Sequence, residues 1–207
     1  MIEIIDYGMG NLRSVQKAFA LLGFDARVTD DPARLKHASG VVLPGVGAFG
    51  KAMENLTNTG FVDAILTEIE RGKPFLGICL GLQLLLDESE ERFSEHEPLP
   101  KGLGVIPGRV RKFPPGLKVP QIGWNKLHLS GPSRLYCGIE DGAYVYFVHS
   151  YYAEPQEASV VSTTTEYGVR FASSLEREHV MAVQFHPEKS SSVGLSILKN
   201  FGEVTNA

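Results

Sequence analysis

Cysteine is scarce: the 207 residues contain only Cys79 and Cys137. These two lie far apart and form no C-x-x-C pair, so neither a disulfide framework nor a zinc site is indicated, and a reducing, cytoplasmic setting is expected. Basic residues are outnumbered, with 20 Lys and Arg against 24 Asp and Glu, a net charge of −4 and no basic cluster. A surface that neutralises phosphates along a duplex needs such clusters, so no nucleic-acid partner is expected. Long apolar runs are missing too. The longest, Phe75 to Leu86, contains glycines and Gln83 and is too short for a bilayer. The N-terminus carries Glu3 and Asp6 without the basic flank of a leader, so no membrane association is expected. The histidines form no group with metal-ligand spacing, and Gly8 and Gly10 lack the third glycine of a dinucleotide fingerprint. No metal or cofactor is therefore expected.

What is present is enough chain for one large domain with a substantial core, and residues 1–207 are expected to form it. The first half alternates strand and helix signals. "IEIID" reads as a strand, and Leu12, Val15, Ala18, Phe19 and Leu22 recur at helical spacing before Gly23. "DARVT" is a second strand, followed by Asp30-Asp31-Pro32, an acidic cap with a first-turn proline. "GVVLPG" is a third strand, "FVDAILTEIERG" a helix and "PFLGI" a fourth strand. Such alternation requires crossovers and hence a parallel sheet with helices on its faces.

From Gly104 onward the pattern changes to strand-like runs joined by short turns: "GVIPGRVRKF", "PQIGWNKLHL", "AYVYFVHSYY", "ASVVSTTT", "VRFASSLE" and "VMAVQFHP". These are expected to add antiparallel strands to the central sheet, giving an α/β fold with a mostly parallel core. "SSSVGLSILKNFGEV" returns to helix, and "RFSEHEPLPKG" is the most loop-like stretch.

Chemistry concentrates at Cys79. Gly77-Ile78-Cys79-Leu80-Gly81 follows a strand and opens a helical run, the setting of a nucleophile elbow, where flanking glycines permit a tight, strained turn. The sulfur would project past the sheet edge toward a helix N-terminus, with the Leu80 N–H placed for an oxyanion. Alternatively, Cys79 is a small buried apolar residue.

A thiol that transfers acyl groups needs a base, and the base an orienting group. In "VQFHPEKSS", His186 and Glu188 at i and i+2 of an extended segment project on one side, and Pro187 biases His186 toward extended backbone. Taken alone, this reads more readily as a solvated pair at a strand end; its occurrence with the elbow reverses that preference and favours a catalytic set. His37, His96, His128 and His179 sit among polar or turn residues and read as surface groups, whereas His149 in "VHSYY" could reach a ligand or serve the core. Gln83 lies one helical turn after Cys79 on the same face. "LPGVGAFG", Leu43 to Gly50, is a glycine-rich loop that either carries N–H groups to a ligand or merely connects.

Together, "GICLGLQLL" and "QFHPE" resemble the class I glutamine amidotransferases over essentially the whole chain. The resemblance implies a Cys79, His186, Glu188 triad in which the cysteine attacks the glutamine side-chain amide, forms a thioester and releases ammonia. "DYGMGN", "LPGVGAFG", "DESEE", "VHSYY" and "HPEKSS" point further, to the branch of the class that serves histidine biosynthesis. By that resemblance Gln83 and Glu91, assisted by Ser150 and Tyr151, would hold the amino-acid end of glutamine, while Gly47 and Leu80 would contribute at the oxyanion site. Asn11 and Lys189 would face a partner, a (β/α)8-barrel cyclase subunit that consumes the ammonia in a heterodimer. A redox-sensing thiol protein of similar architecture, or a catalytically silent binding subunit, would carry the same elbow.

Overall fold

The computed structural model describes residues 1–92, 94 and 96–206. Strands β1 (Ile2–Ile5), β2 (Ala26–Thr29), β3 (Gly40–Gly45) and β4 (Phe75–Cys79) alternate with helices α1 (Leu12–Leu21), α2 (Phe49–Asn58) and α3 (Phe61–Glu70). β1, β3 and β4 are buried along their whole length, as near-continuous apolar runs inside a parallel sheet should be. Asp31 accepts the Ala33 N–H and caps a 3-10 turn at Pro32–His37, as its sequence suggests.

A short helix, α4 (Leu80–Leu84), follows β4 directly. The strands after it are β5 (Glu88–Ser89), β6 (Gly108–Lys112), β7 (Gln121–Lys126), β8 (His128–Leu129), β9 (Tyr144–His149), β10 (Tyr151–Pro155), β11 (Val161–Glu166), β12 (Arg170–Arg177) and β13 (Val180–Val183), and α5 (Ser191–Val204) closes the described chain. The main sheet has eleven strands in the path β2-β1-β3-β4-β13-β12-β10-β6-β5, with β11 and β8 attached beside β12. Pairing is parallel from β2 to β13 and antiparallel through β12, β10 and β6.

Side-chain alternation along the strands divides the core. Ile5 and Leu43 pack with Phe49 and Leu56 of α2 and Phe61 and Ile65 of α3, whereas Ile4 and Val42 pack with Val15 and Phe19 of α1 and Ile197 and Phe201 of α5. Helices thus cover both faces, and the carboxyl ends of β3 and β4 emerge side by side, with Gly45 opposite Cys79. Ligands bind at that edge in open α/β sheets.

Several local expectations need correction. β7 and β9 form a separate two-stranded sheet instead of joining the central one. The helical run after Cys79 ends at Leu84, because the carbonyls of Leu84, Leu85 and Leu86 are taken by N–H groups of Leu103 to Ile106. The glycine-rich loop is shorter than its sequence suggests: β3 runs through Gly45, and α2, which carries little sequence signal, begins at Phe49. The loop expected over "RFSEHEPLPKG" falls partly on residues 93 and 95, outside the described residues. His179, expected at the surface, is half-buried with Nε2 against the Ile69 carbonyl at 2.6 Å.

Candidate active site

β4 ends on Cys79, whose backbone sits at φ 57°, ψ −107°. This is a strained conformation for a residue with a side chain, and it persists because the surroundings leave no alternative. A Cβ on Gly77 would stand 2.7 Å from the Gly81 carbonyl oxygen, and one on Gly81 would run into the Leu43 carbonyl of the neighbouring strand. The two glycines are therefore required on either side of the cysteine. The same crowding applies at Gly45, where a Cβ would meet the Tyr7 hydroxyl at 2.7 Å and Leu80 Cβ at 2.8 Å. The Leu80 N–H lies in the first turn of α4 and has no intrahelical acceptor.

Cys79 Sγ is 3.8 Å from the Val148 carbonyl oxygen, to which its S–H donates, and receives the Gln184 Nε2–H at 3.7 Å. Gln184 is itself oriented by Gln83, whose Nε2 donates to Gln184 Oε1 at 3.0 Å and to the Tyr151 carbonyl at 2.9 Å. A chain of buried amides thus ends on the sulfur. Sequence reasoning passed over Gln184; its signal was a lone amide within the apolar run "VMAVQF".

His186 and Glu188 do meet, although not as neighbours on a strand. β13 stops at Val183, and Pro187–Lys189 is a 3-10 turn that brings His186 Nδ1 within 3.0 Å of Glu188 Oε1. The ring donates from Nδ1 to the carboxylate, which leaves Nε2 for the thiol. The His186 N–H donates to the Tyr146 carbonyl at 2.9 Å, and the Ser190 hydroxyl donates to the His186 carbonyl at 2.6 Å while accepting the Tyr146 N–H at 2.9 Å. These bonds fasten the segment to β9. The Glu188 side chain is fully buried; its Oε1 faces the imidazole, and its Oε2 finds no partner among the described residues. Burial opposes charge on His186, but the contact with Cys79 and the hydrogen bond to Glu188 outweigh it and raise the pKa to about 9.

His149 behaves oppositely. It packs among Phe113, Phe147 and Phe171 and donates from Nδ1 to the Tyr151 carbonyl at 2.8 Å. Burial lowers its pKa to about 4, against the Tyr151 bond and with the help of His186 nearby, so the ring is neutral at physiological pH.

A cavity of about 290 Å³ opens on this group, at the small end for a ligand pocket. Of the residues singled out from sequence, Cys79, His186, His149, Gly47, Leu80, Gln83, Glu91, Ser150, Tyr151 and Lys189 line it. Glu188 stands behind His186. Asn11 does not line the cavity and instead precedes α1 without a side-chain cap bond. Val46, Pro120 and Val148 also line it and carried no sequence signal of their own.

The arrangement holds the parts that acyl transfer requires: a thiol on a strained turn, an imidazole with a buried carboxylate beside it, and N–H groups at the start of a helix. The family model for class I glutamine amidotransferases matches residues 3–204. The imidazole glycerol phosphate synthase subunit HisH of Syntrophotalea carbinolica is 56% identical over 99% of this chain and 100% of its own length. The subunit of the same name from Geobacter sulfurreducens is 54% identical, covering 98% of each chain. Among solved structures, a glutamine amidotransferase superposes with a TM-score of 0.76 at 19% identity, covering 100% of this chain and 99% of its own, and PurLQS from Thermotoga maritima with 0.73 at 18%, covering 99% and 96%. At those identities the structures bear on fold alone.

Proposed function

Because the chain belongs to the class I glutamine amidotransferase family, we propose that it is the glutaminase subunit of an imidazole glycerol phosphate synthase, with residues 1–207 forming a single amidotransferase domain. The observation that carries this reading is the elbow cysteine with a buried His-Glu pair beside it, on a cavity of amino-acid size.

His186 accepts the Cys79 proton, and the thiolate attacks the side-chain amide carbon of L-glutamine. The Leu80 N–H and a loop N–H near Gly47 stabilise the oxyanion that forms. His186 then gives its proton to the departing nitrogen, the C–N bond breaks, and ammonia leaves a thioester on Cys79. Water, deprotonated by His186, attacks that thioester and releases glutamate, and the proton returns to the thiol. One glutamine and one water thus become one glutamate and one ammonia. Glu188 holds the imidazole in the required tautomer and favours its protonated form. Gln83, Glu91, Ser150 and Tyr151 hold the amino-acid end of the substrate.

The ammonia passes to a (β/α)8-barrel cyclase subunit that makes imidazole glycerol phosphate and aminoimidazole carboxamide ribonucleotide in histidine biosynthesis. Asn11 and Lys189 face that partner in the heterodimer. No helix among the described residues is long and apolar enough to cross a membrane, and the free thiols of Cys79 and Cys137 fit a reducing, cytoplasmic setting.

The test is glutamate release from glutamine by the purified chain, alone and with the cyclase subunit plus its nucleotide ligand. Release that becomes strong only in the complex is the expected result. A folded chain that releases none in either state would overturn the proposal.

A further inference from the structure

Glu91 makes a bond that substrate binding does not require. Its Oε2 accepts the Phe49 N–H at 2.8 Å from 42 positions away in the chain. Phe49 is the first residue of α2, whose preceding Ala48 offers no side-chain cap and whose first turn has no acidic residue. A helix start leaves N–H groups unpaired and favours a negative charge, and here a distant carboxylate supplies both needs. The Glu91 backbone is fixed in turn, its N–H bonded at 3.0 Å to the hydroxyl of Ser89, a fully buried residue of β5.

The consequence concerns the three residues between β3 and α2. Val46, Gly47 and Ala48 span two anchors: Gly45, paired with Cys79, and Phe49, bonded to Glu91. Val46 is exposed and Gly47 has φ +95°, while the Ala48 carbonyl accepts the Ala52 N–H at 3.0 Å and Phe49 is fully buried, so the looser part of the stretch is Val46 and Gly47. Val46, Gly47 and Glu91 all line the cavity that contains Cys79. A carboxylate has acceptor sites on both oxygens, and among the described residues only Oε2 is engaged, by Phe49, which leaves Oε1 to face a ligand cation.

We infer that Glu91 is a positioning residue for the Val46–Ala48 loop in addition to being a contact for the substrate ammonium, and that it thereby ties substrate recognition to the geometry at Cys79. The inference rests on the glutaminase reading above and deepens it. One carboxylate faces the amino group through one oxygen and sets the far end of the loop through the other. A displaced loop carries its N–H away from the oxyanion, and such misplacements are costly in rate.

The two roles separate with a substrate that has no amino group. The complex with the cyclase subunit and its nucleotide ligand is assayed for ammonia release from L-glutamine and from 4-carbamoylbutanoate, its des-amino analogue, using wild type, Glu91→Ala and Glu91→Gln. Glu91→Gln keeps an oxygen for Phe49 but loses the charge that meets an ammonium. On glutamine both variants should raise KM about tenfold or more. On the des-amino amide, Glu91→Ala should lose about tenfold or more in kcat, while Glu91→Gln recovers to within about threefold of wild type. A purely structural cap would lower the melting temperature of Glu91→Ala and leave kcat per folded molecule unchanged, and that result overturns the inference. Equal kcat losses in both variants on the des-amino amide would overturn it as well. If wild type releases no ammonia from glutamine, the glutaminase reading itself fails and the inference falls with it.

Discussion

The side-chain amide of Gln184 donates to Cys79 Sγ at 3.7 Å across 105 positions of sequence. Gln184 is fully buried, and Gln83 fixes which way its amide points. Gln184→Leu keeps the approximate volume, removes the donor from the sulfur and takes one acceptor from Gln83. Glutamine turnover should fall about tenfold or more, since a preorganised donor at developing charge is lost. Stability should drop by about 1–3 kcal/mol through the unpaired buried amide. Steady-state kinetics and denaturant unfolding read the two effects separately, and wild-type turnover would show that this bond has no part in the chemistry.

Cys79→Ala should abolish glutamine-dependent synthesis by the complex and leave synthesis from added ammonia intact. The substitution takes away the proposed nucleophile and leaves the proposed partner's chemistry alone. Glutamate release by the variant would mean that another group attacks the amide.

The pKa of about 9 for His186 in the ligand-free protein predicts an alkaline limb of kcat/KM near that pH. Above it the imidazole no longer carries the proton that departing ammonia needs. Glu188→Gln removes one attraction that holds this proton, so the limb should move to lower pH and turnover should be impaired without being abolished. A pH profile of both proteins, with the limb in the same place, would show that Glu188 does not govern the base.

His149 predicts pH-dependent stability on the acid side. Its folded pKa of about 4 lies below the ordinary value of 6.5, so the unfolded chain takes up a proton that the native ring refuses. The native state is fully favoured above about pH 6.5 and loses up to roughly 3 kcal/mol as pH falls to about 4. His186, raised instead of lowered, acts in the other direction and withdraws stability as pH rises from 6.5 through about 9. Melting temperatures of wild type and His149→Phe between pH 7 and pH 4.5 test the acid limb. The phenylalanine variant should show the shallower decline, and parallel curves would assign the acid sensitivity to other groups.

Gly81→Ala should destabilise by about 1–3 kcal/mol or prevent correct placement of Cys79, because its Cβ has only the Leu43 backbone to displace. Gly131→Ala, where nothing lies within 4 Å of the added carbon, should stay within about 0.5 kcal/mol of wild type. Equal unfolding midpoints for the two variants would contradict the close approach at the elbow.

Much of this protein is decided within short stretches of chain. The alternation of apolar strands and amphipathic helices up to Cys79 dictates a parallel sheet, since parallel neighbours require crossovers. The elbow is equally local, because two glycines two residues from Cys79 are the steric condition for its turn. His186 and Glu188 are so close in sequence that they meet in a 3-10 turn as readily as they would on a strand.

Other features depend on contacts between segments far apart, and no local pattern encodes them. α4 ends early because carbonyls of Leu84 to Leu86 bond to Leu103 through Ile106, which propensity alone does not foresee. β7 pairs with β9 apart from the main sheet although both read as ordinary strands. The acceptor of the Cys79 thiol is a backbone carbonyl, at Val148, and a carbonyl is invisible in a residue pattern. Sequence by itself offered Cys79, His186 and Glu188 as a candidate set, because a strand-to-helix turn flanked by glycines and an i, i+2 pair are local patterns. Only the tertiary structure decided that Gln184 would touch the sulfur and that Glu91 would hold Phe49, since hydrogen bonds form where folding brings donor and acceptor within reach, whatever the chain separation between them.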